Sequence, residues 1–249
     1  MIKKEQVTIK IKRQDNPNLK PRWETFVLKY RPGMNVIICL MEIRKNPRTV
    51  DGIRTTPVKW DQNCLEEVCG SCSMRINGRV RQACSALVDE LSDPITVEPM
   101  SKFPLVCDLV VDRSSMFEAL KRVKAWIPVD GSHDIGPGPK IYPEEQQDMY
   151  ALSKCMTCGC CLEACPQVNS HSPFIGAAVI SQVKLFNENP TGHANAHERL
   201  EALMVTGGAQ DCGNAQNCVQ ACPQKIPLTT SIAEVNREIT LKMLGMLKK

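Results

Sequence analysis

A chain of 249 residues that is 43% hydrophobic, 23% charged and formally +4 has room for one or two compact units, and two are expected. Units of that size bury on the order of 70% of the unfolded chain's surface, so metal need not be the only thing holding them together. The fourteen cysteines therefore need another explanation. Met1 to Lys10 carries charges where a signal peptide would place its apolar stretch, so no export is expected. In a reducing compartment thiols stay free unless a metal takes them, which argues against disulfides. No apolar run reaches the roughly 18 residues of a membrane span; this removes a spanning helix from the chain but not a membrane-bound partner.

In chain order, Val7, Ile9 and Ile11 alternate with Thr8, Lys10 and Lys12, a Pro/Asn-rich turn follows, and Phe26 and Leu28 alternate again. This pattern predicts a hairpin. After Arg31-Pro32-Gly33, the segment Met34 to Lys45 predicts a helix with Ile37, Ile38 and Met41 on its buried face and Leu40 beside them. A cysteine-rich loop comes next, then a strand at Ile95-Thr96-Val97, then a helical period that opens at Phe117, Leu120 and Val123. The domain boundary is placed at Cys107, giving 1–107 and 108–249. Three glycines and three prolines in Gly131 to Pro143 predict an irregular loop. Helices are expected over Glu144 to Ser153, Ile175 to Glu188, Ala196 to Val205 and Thr230 to Leu247. The fold class is α+β, with an all-α second half.

Cys64, Cys69, Cys72 and Cys84 follow C-x4-C-x2-C-x11-C, the plant-ferredoxin spacing for a 2Fe-2S cluster. Three thiolates on one tight loop, with Gly70 permitting an unusual turn, let backbone N–H groups converge on a small anion. Cys84 then closes the site from a neighbouring strand. A four-cysteine zinc site would favour two C-x2-C pairs instead.

Cys155, Cys158, Cys161 and Cys165-Pro166 form C-x2-C-x2-C-x3-C-P, the bacterial ferredoxin run whose fourth cysteine ligates the other cluster. A second run stands at Cys212, Cys218 and Cys222-Pro223, with Ala215 where its second cysteine would be. Cross-ligation assigns Cys155, Cys158, Cys161 and Cys222 to a 4Fe-4S cluster. It assigns Cys165, Cys212 and Cys218 to a cluster lacking one thiolate, for which 3Fe-4S is the natural outcome; a 4Fe-4S cluster with water at the open corner is the alternative. With eleven thiolates on cluster iron, the net charge falls to roughly −2, so the basic balance is no argument for nucleic acid. Cys39 and Cys107 read as small buried hydrophobes, and Cys160 as a neighbour of a ligand rather than a ligand.

With these motifs in place, CLEEVCGSC, CMTCGCCLEACP and CGNAQNCVQACP in that order, the chain resembles the iron–sulfur subunits of succinate dehydrogenase and fumarate reductase over nearly its whole length. The resemblance implies a plant-ferredoxin-like β-grasp domain followed by a helical ferredoxin domain, held between a flavoprotein subunit with covalent FAD and a membrane cytochrome b anchor with haem b. It further implies a relay of single electrons from FAD through 2Fe-2S, 4Fe-4S and 3Fe-4S to quinone at the cytoplasmic face of the cell membrane. No catalytic residue for succinate chemistry is expected in this chain, and no separate metal site. Many family members have histidine after the first cysteine of the last run and tryptophan after the CP of the ferredoxin run, both near quinone. Here those places hold Gly213 and Gln167-Val168-Asn169-Ser170, which points to a menaquinone-linked enzyme with a dihaem anchor. The competing readings are quinol:fumarate reduction in the reverse direction, a soluble multi-cluster carrier, and a redox sensor, for which no DNA-binding element is found.

Two weaker signals remain. His193 and His197 are four residues apart but have no partner in a metal-site spacing, so a solvated helix start is expected. The last helix, with Leu241, Leu244, Met246 and Leu247 beside Lys242, Lys248 and Lys249, is expected to turn its apolar stripe to the core rather than to a membrane surface.

Overall fold

The computed structural model describes residues 5–128, 136 and 138–246. Part of the stretch expected to form the irregular Gly131 to Pro143 loop, and the last residues of the chain, lie outside the described residues. The chain forms two compact units: Met1–Arg113 with Cys158–Glu163, and Ser114–Thr157 with Ala164–Lys249. The sequence places one cut at Cys107; the packing puts it after Arg113 and adds part of the ferredoxin run to the first unit.

In the first unit, β1 (Gln6–Arg13) and β2 (Arg22–Lys29) pair antiparallel as the expected hairpin. The alternation buries Val7, Ile9 and Ile11 completely, each contributing about 1.5–3 kcal/mol relative to exposure. Helix α1 (Val36–Lys45) begins at Asn35, whose side chain accepts a hydrogen bond from the Ile38 amide at 2.9 Å. Its buried face is Val36, Ile37, Cys39, Leu40 and Ile43, while Met41 is 40% exposed. The helix is where the sequence predicts it, but its inward face is rotated from the expected one. Strands β3 (Ser73–Ile76), β4 (Arg79–Gln82) and β5 (Ile95–Glu98) complete a five-stranded sheet in the order β2-β1-β5-β3-β4. The β1–β5 pair is parallel and the others antiparallel. One core fills the space between this sheet and α1. A small hairpin, β6 (Leu105–Cys107) with β7 (Val110–Val111), follows.

The alternation of β1 carries one polar residue inward. Arg13 occupies the last core-facing position and is fully buried, so its charge needs partners. Asp108 supplies two oxygens, 2.9 Å from Nε and 3.1 Å from Nη2, and Glu24 accepts from Nη1 at 2.7 Å. The Asp108 carboxylate also accepts from the amides of Gln14 and Lys59. The bidentate pair thereby ties the end of β1 to the loop before the cysteines and to the β6–β7 turn.

The second unit is helical: α2 (Ser114–Arg122), α3 (Pro143–Ser153), the end of α4 (Cys160–Ala164), α5 (Ala177–Glu188), α6 (Ala196–Leu203), α7 (Asn217–Ala221) and α8 (Leu228–Met243). A two-residue pairing of β8 (Val168–Asn169) with β9 (Ser172–Pro173) is the only sheet among its described residues. In α2, Met116 is buried and Phe117 is 56% exposed, so the inward face differs from the expected one here too. Arg199 of α6 is fully buried and donates to the carbonyls of Lys124 (2.9 Å), Gly192 (2.7 Å) and Trp126 (2.8 Å) and to Asn187 Oδ1 (3.2 Å). Helix α8 buries Leu228, Ile232, Val235 and Ile239. Its end departs from expectation: Met243, Leu244 and Met246 are exposed, because the chain leaves the helix at Leu244 and the inward stripe stops at Ile239. Among the described residues no helix is long and apolar enough to cross a membrane.

Candidate cluster-binding sites

Between Cys64 and Cys72 the backbone turns left-handed at Leu65 (φ 66°), Glu67 (φ 59°) and Gly70 (φ 72°). Two of these are non-glycine residues in a sparsely populated region, strain that the surrounding structure must over-determine. The bends aim amides at sulfur: Glu66, Val68 and Cys69 donate to Cys64 Sγ at 3.5, 3.4 and 3.3 Å, and Cys64 and Ser71 donate to Cys69 Sγ at 3.4 and 3.5 Å. Convergent N–H groups stabilise sulfur as thiolate, the form that binds iron. Burial pushes the Cys69 thiol up, but the Ser71 hydroxyl and the amides of Cys64 and Ser71 outweigh it and bring the value down to about 6. Cys72 moves the other way, to about 12, chiefly through burial with the Cys84 thiol beside it. The loop is thus pre-shaped for a small anionic cage, and its donor set fits a 2Fe-2S cluster.

Cys84 follows β4, and its carbonyl accepts from Asn35 Nδ2 at 2.8 Å. Asn35 therefore caps α1 with its oxygen and grips the fourth cysteine with its nitrogen. On the other side of the loop, Arg113 Nη1 donates to the carbonyls of Gly70 (2.8 Å) and Cys158 (3.4 Å). The segment Cys158–Glu163 is held by Glu163, a buried carboxylate that accepts from the Ser101 amide (2.9 Å), the Ser101 hydroxyl (2.7 Å) and the Lys102 amide (3.0 Å). Cys158 and Cys161 are buried here. Cys160 is fully buried and packs against Ser73 and Gln82.

In the second unit the geometry centres on a small cavity. Cys165, Cys212 and Cys218 all line it, and so do Ala215, Gln167 and Gly213. The three cysteines of the assembled set and the alanine that replaces a cysteine in the run thus line one cavity. Burial pushes the Cys218 thiol up, and the proximity of Cys165 and Cys212 pushes it the same way. Left-handed residues again shape the run, at Asn214 (φ 51°) and Gln216 (φ 60°), and Asn217 Nδ2 ties α7 to the carbonyl of Ala164 at 3.1 Å. A Cβ at Gly213 would lie 2.5 Å from Gln167 Nε2, so a larger residue there requires that side chain to move. Cys155 and Cys222 are half-buried in this unit, and the ferredoxin run bends at Thr157 (φ 49°) and Gly159 (φ 84°).

The other sequence signals resolve simply. Cys39 is fully buried, and Cys107 is half-buried at the end of β6. His193 Nδ1 meets the Asn187 carbonyl at 2.9 Å, while His197 Nδ1 lies 3.3 Å from Glu201 and 3.0 Å from Lys242 Nζ; the two rings serve different contacts. Sequence reasoning missed the supporting residues Asn35, Gln82, Arg113 and Glu163. A polar residue at an inward strand position two places before a cysteine was the available sign for Gln82.

These are two cysteine frameworks built for iron–sulfur clusters, one borne on a sheet and one on helices. Residues 8–118 match the family described as 2Fe-2S iron-sulfur cluster binding domain, and residues 151–226 match the 4Fe-4S dicluster domain. The succinate dehydrogenase iron-sulfur subunit of Bacillus subtilis is 61% identical over 96% of this chain and 95% of its own length. The fumarate reductase iron-sulfur subunit of Wolinella succinogenes is 32% identical over 88% and 90%. A solved structure of the Mycobacterium smegmatis Sdh1 complex in the apo form shares the fold at a TM-score of 0.81 and 22% identity, covering 97% of this chain and 98% of that one. The chain belongs to the family of iron–sulfur subunits of succinate dehydrogenases and fumarate reductases, as its motifs imply.

Proposed function

We propose that the chain holds three clusters and relays single electrons between the FAD of a flavoprotein subunit and quinone at a membrane cytochrome b anchor. Cys64, Cys69, Cys72 and Cys84 hold 2Fe-2S; Cys155, Cys158, Cys161 and Cys222 hold 4Fe-4S; Cys165, Cys212 and Cys218 hold 3Fe-4S. When bound, each cluster supplies a site that gains and loses one electron. The protein's part is to fix the sulfur positions, bury them and aim hydrogen bonds at them. The observation that carries the reading is the cavity in which Cys165, Cys212 and Cys218 share a wall with Ala215, because it supports a cluster type that spacing alone leaves open.

The partners are a flavoprotein with covalent FAD and a dihaem anchor that uses menaquinone, which puts the chain at the cytoplasmic face of the membrane. Support for the quinone type is that Gly213 and Gln167 stand where many family members carry histidine and tryptophan. Electron paramagnetic resonance of the purified complex tests the whole reading. A three-iron signal as isolated and a 2Fe-2S signal on adding succinate are expected. Clusters that form but ignore succinate would move the electron donor elsewhere, and a tight ubiquinone site beside the three-iron cluster would overturn the quinone assignment.

A further inference from the structure

Gln82 is fully buried at the end of β4, opposite Ser73 in the β3–β4 register. Its carboxamide sits among three side chains: Oε1 is 3.4 Å from Cys72 Sγ, and Nε2 is 2.7 Å from Ser73 Oγ and 3.5 Å from Cys160 Sγ. In this orientation the Cys72 thiol must donate its proton to Oε1. A sulfur bound to cluster iron has no proton to give, and an amide oxygen facing a thiolate is repelled. Oxygen and nitrogen of a carboxamide are assigned from the surrounding hydrogen bonds, and the loaded site reverses that assignment. With the amide turned over, Nε2–H faces the Cys72 thiolate, while the Ser73 hydroxyl and the Cys160 thiol both donate to Oε1. The Gly70 carbonyl, which accepts from Ser73 at 3.0 Å in the present arrangement, keeps the Arg113 guanidinium at 2.8 Å. The Cys72 sulfur, the Ser73 hydroxyl and the Cys160 thiol then each face a complementary atom of the carboxamide, and Cys160, whose thiol also lies against Cys158, has a role that requires it to remain a free thiol.

Resting on the assignment of Cys72 to the 2Fe-2S cluster, we propose that Gln82 is a positioning residue of that centre: its carboxamide donates to the Cys72 thiolate, oriented by Ser73 and Cys160, and raises the centre's reduction potential. The physical reason is charge. Reduction adds an electron to an already anionic cage, and a donor aimed at a ligand sulfur stabilises the reduced form more than the oxidised one. Because Cys160 sits in the segment that carries Cys158 and Cys161, the same carboxamide connects the first cysteine loop to the ferredoxin run within one unit.

The test is a potentiometric titration of the purified complex, following the 2Fe-2S signal. Gln82→Leu is expected to keep the signal's full intensity and shift its midpoint downward. Cys160→Ala should shift it in the same direction by less, and Cys160→Ser, which retains a donor, should restore it. An unchanged midpoint in Gln82→Leu at full intensity overturns the inference. Should Gln82→Leu fail to load its clusters, the wild type carries the test: with ¹⁵N in glutamine side chains, pulsed resonance of the reduced 2Fe-2S centre should show coupling to one such nitrogen, and its absence overturns the proposal. A wild type with no 2Fe-2S signal overturns the ligand assignment first, and the inference with it.

Discussion

The cysteine loop of the first unit and the cysteine wall of the second place thiols by different means. Cys64, Cys69 and Cys72 share one short loop, and three left-handed residues with five amide-to-sulfur hydrogen bonds define their positions. Cys165, Cys212 and Cys218 come from distant parts of the chain and meet in a cavity also lined by residues of α5 and α8. The first arrangement is local, so it depends on backbone conformation; the second is assembled, so it depends on helix packing. The buried arginines of the two units differ in another sense. Arg13 is neutralised by carboxylates, whereas Arg199 is held by carbonyl and amide oxygens, and its burial lowers its affinity for a proton.

Ala215→Cys should break the comparison most completely by giving the assembled site its fourth thiolate. The three-iron resonance is expected to disappear in favour of a 4Fe-4S signal; an unchanged three-iron spectrum would mean that cavity shape, not the missing thiolate, selects the cluster. Next in size is Asp108→Ala, which leaves the Arg13 guanidinium buried with its bidentate partner gone. A loss of about 3–5 kcal/mol is expected, read by denaturant unfolding of the first unit. Arg199→Met removes the charge and leaves the carbonyls of Lys124, Gly192 and Trp126 without their donor. The second unit should lose about 1–3 kcal/mol per group left unsatisfied and buried, and a melting curve unaffected by the change would refute the idea that this side chain holds the helical frame. The smallest effect is expected from Asn35→Ala, about 1 kcal/mol for the lost cap and about as much again for the lost bond to the Cys84 carbonyl, with circular dichroism reporting the fraying of α1.

Much of the frame was legible. The hairpin followed from strict alternation in β1, and α3, α5, α6 and α8 followed from apolar periodicity, because each pattern is local, whereas the short α4 and α7 inside the cysteine runs carry no such pattern. The faces of two helices were not. Val36 to Met41 is an unbroken apolar run, so nothing polar marks its outer side until Glu42, and the true inward face was set by the sheet beneath. At α2, Phe117 is the larger side chain, yet Met116 is the one inside. The cysteine motifs announced the sites by spacing, but Asn35, Gln82 and Glu163 act across 49, 78 and 62 residues of chain. Such pairings come from strand register and segment docking, which spacing does not encode.

The double use of Asn35 has a thermodynamic consequence. One side chain both starts α1 and holds the carbonyl of Cys84, so on the proposed assignment of Cys84 to the 2Fe-2S cluster, iron loading and the closing of the first helical turn are linked equilibria: whatever favours one favours the other. Loss of the 2Fe-2S cluster should therefore first be felt away from the iron, as faster exchange of the Ile38 amide hydrogen with solvent.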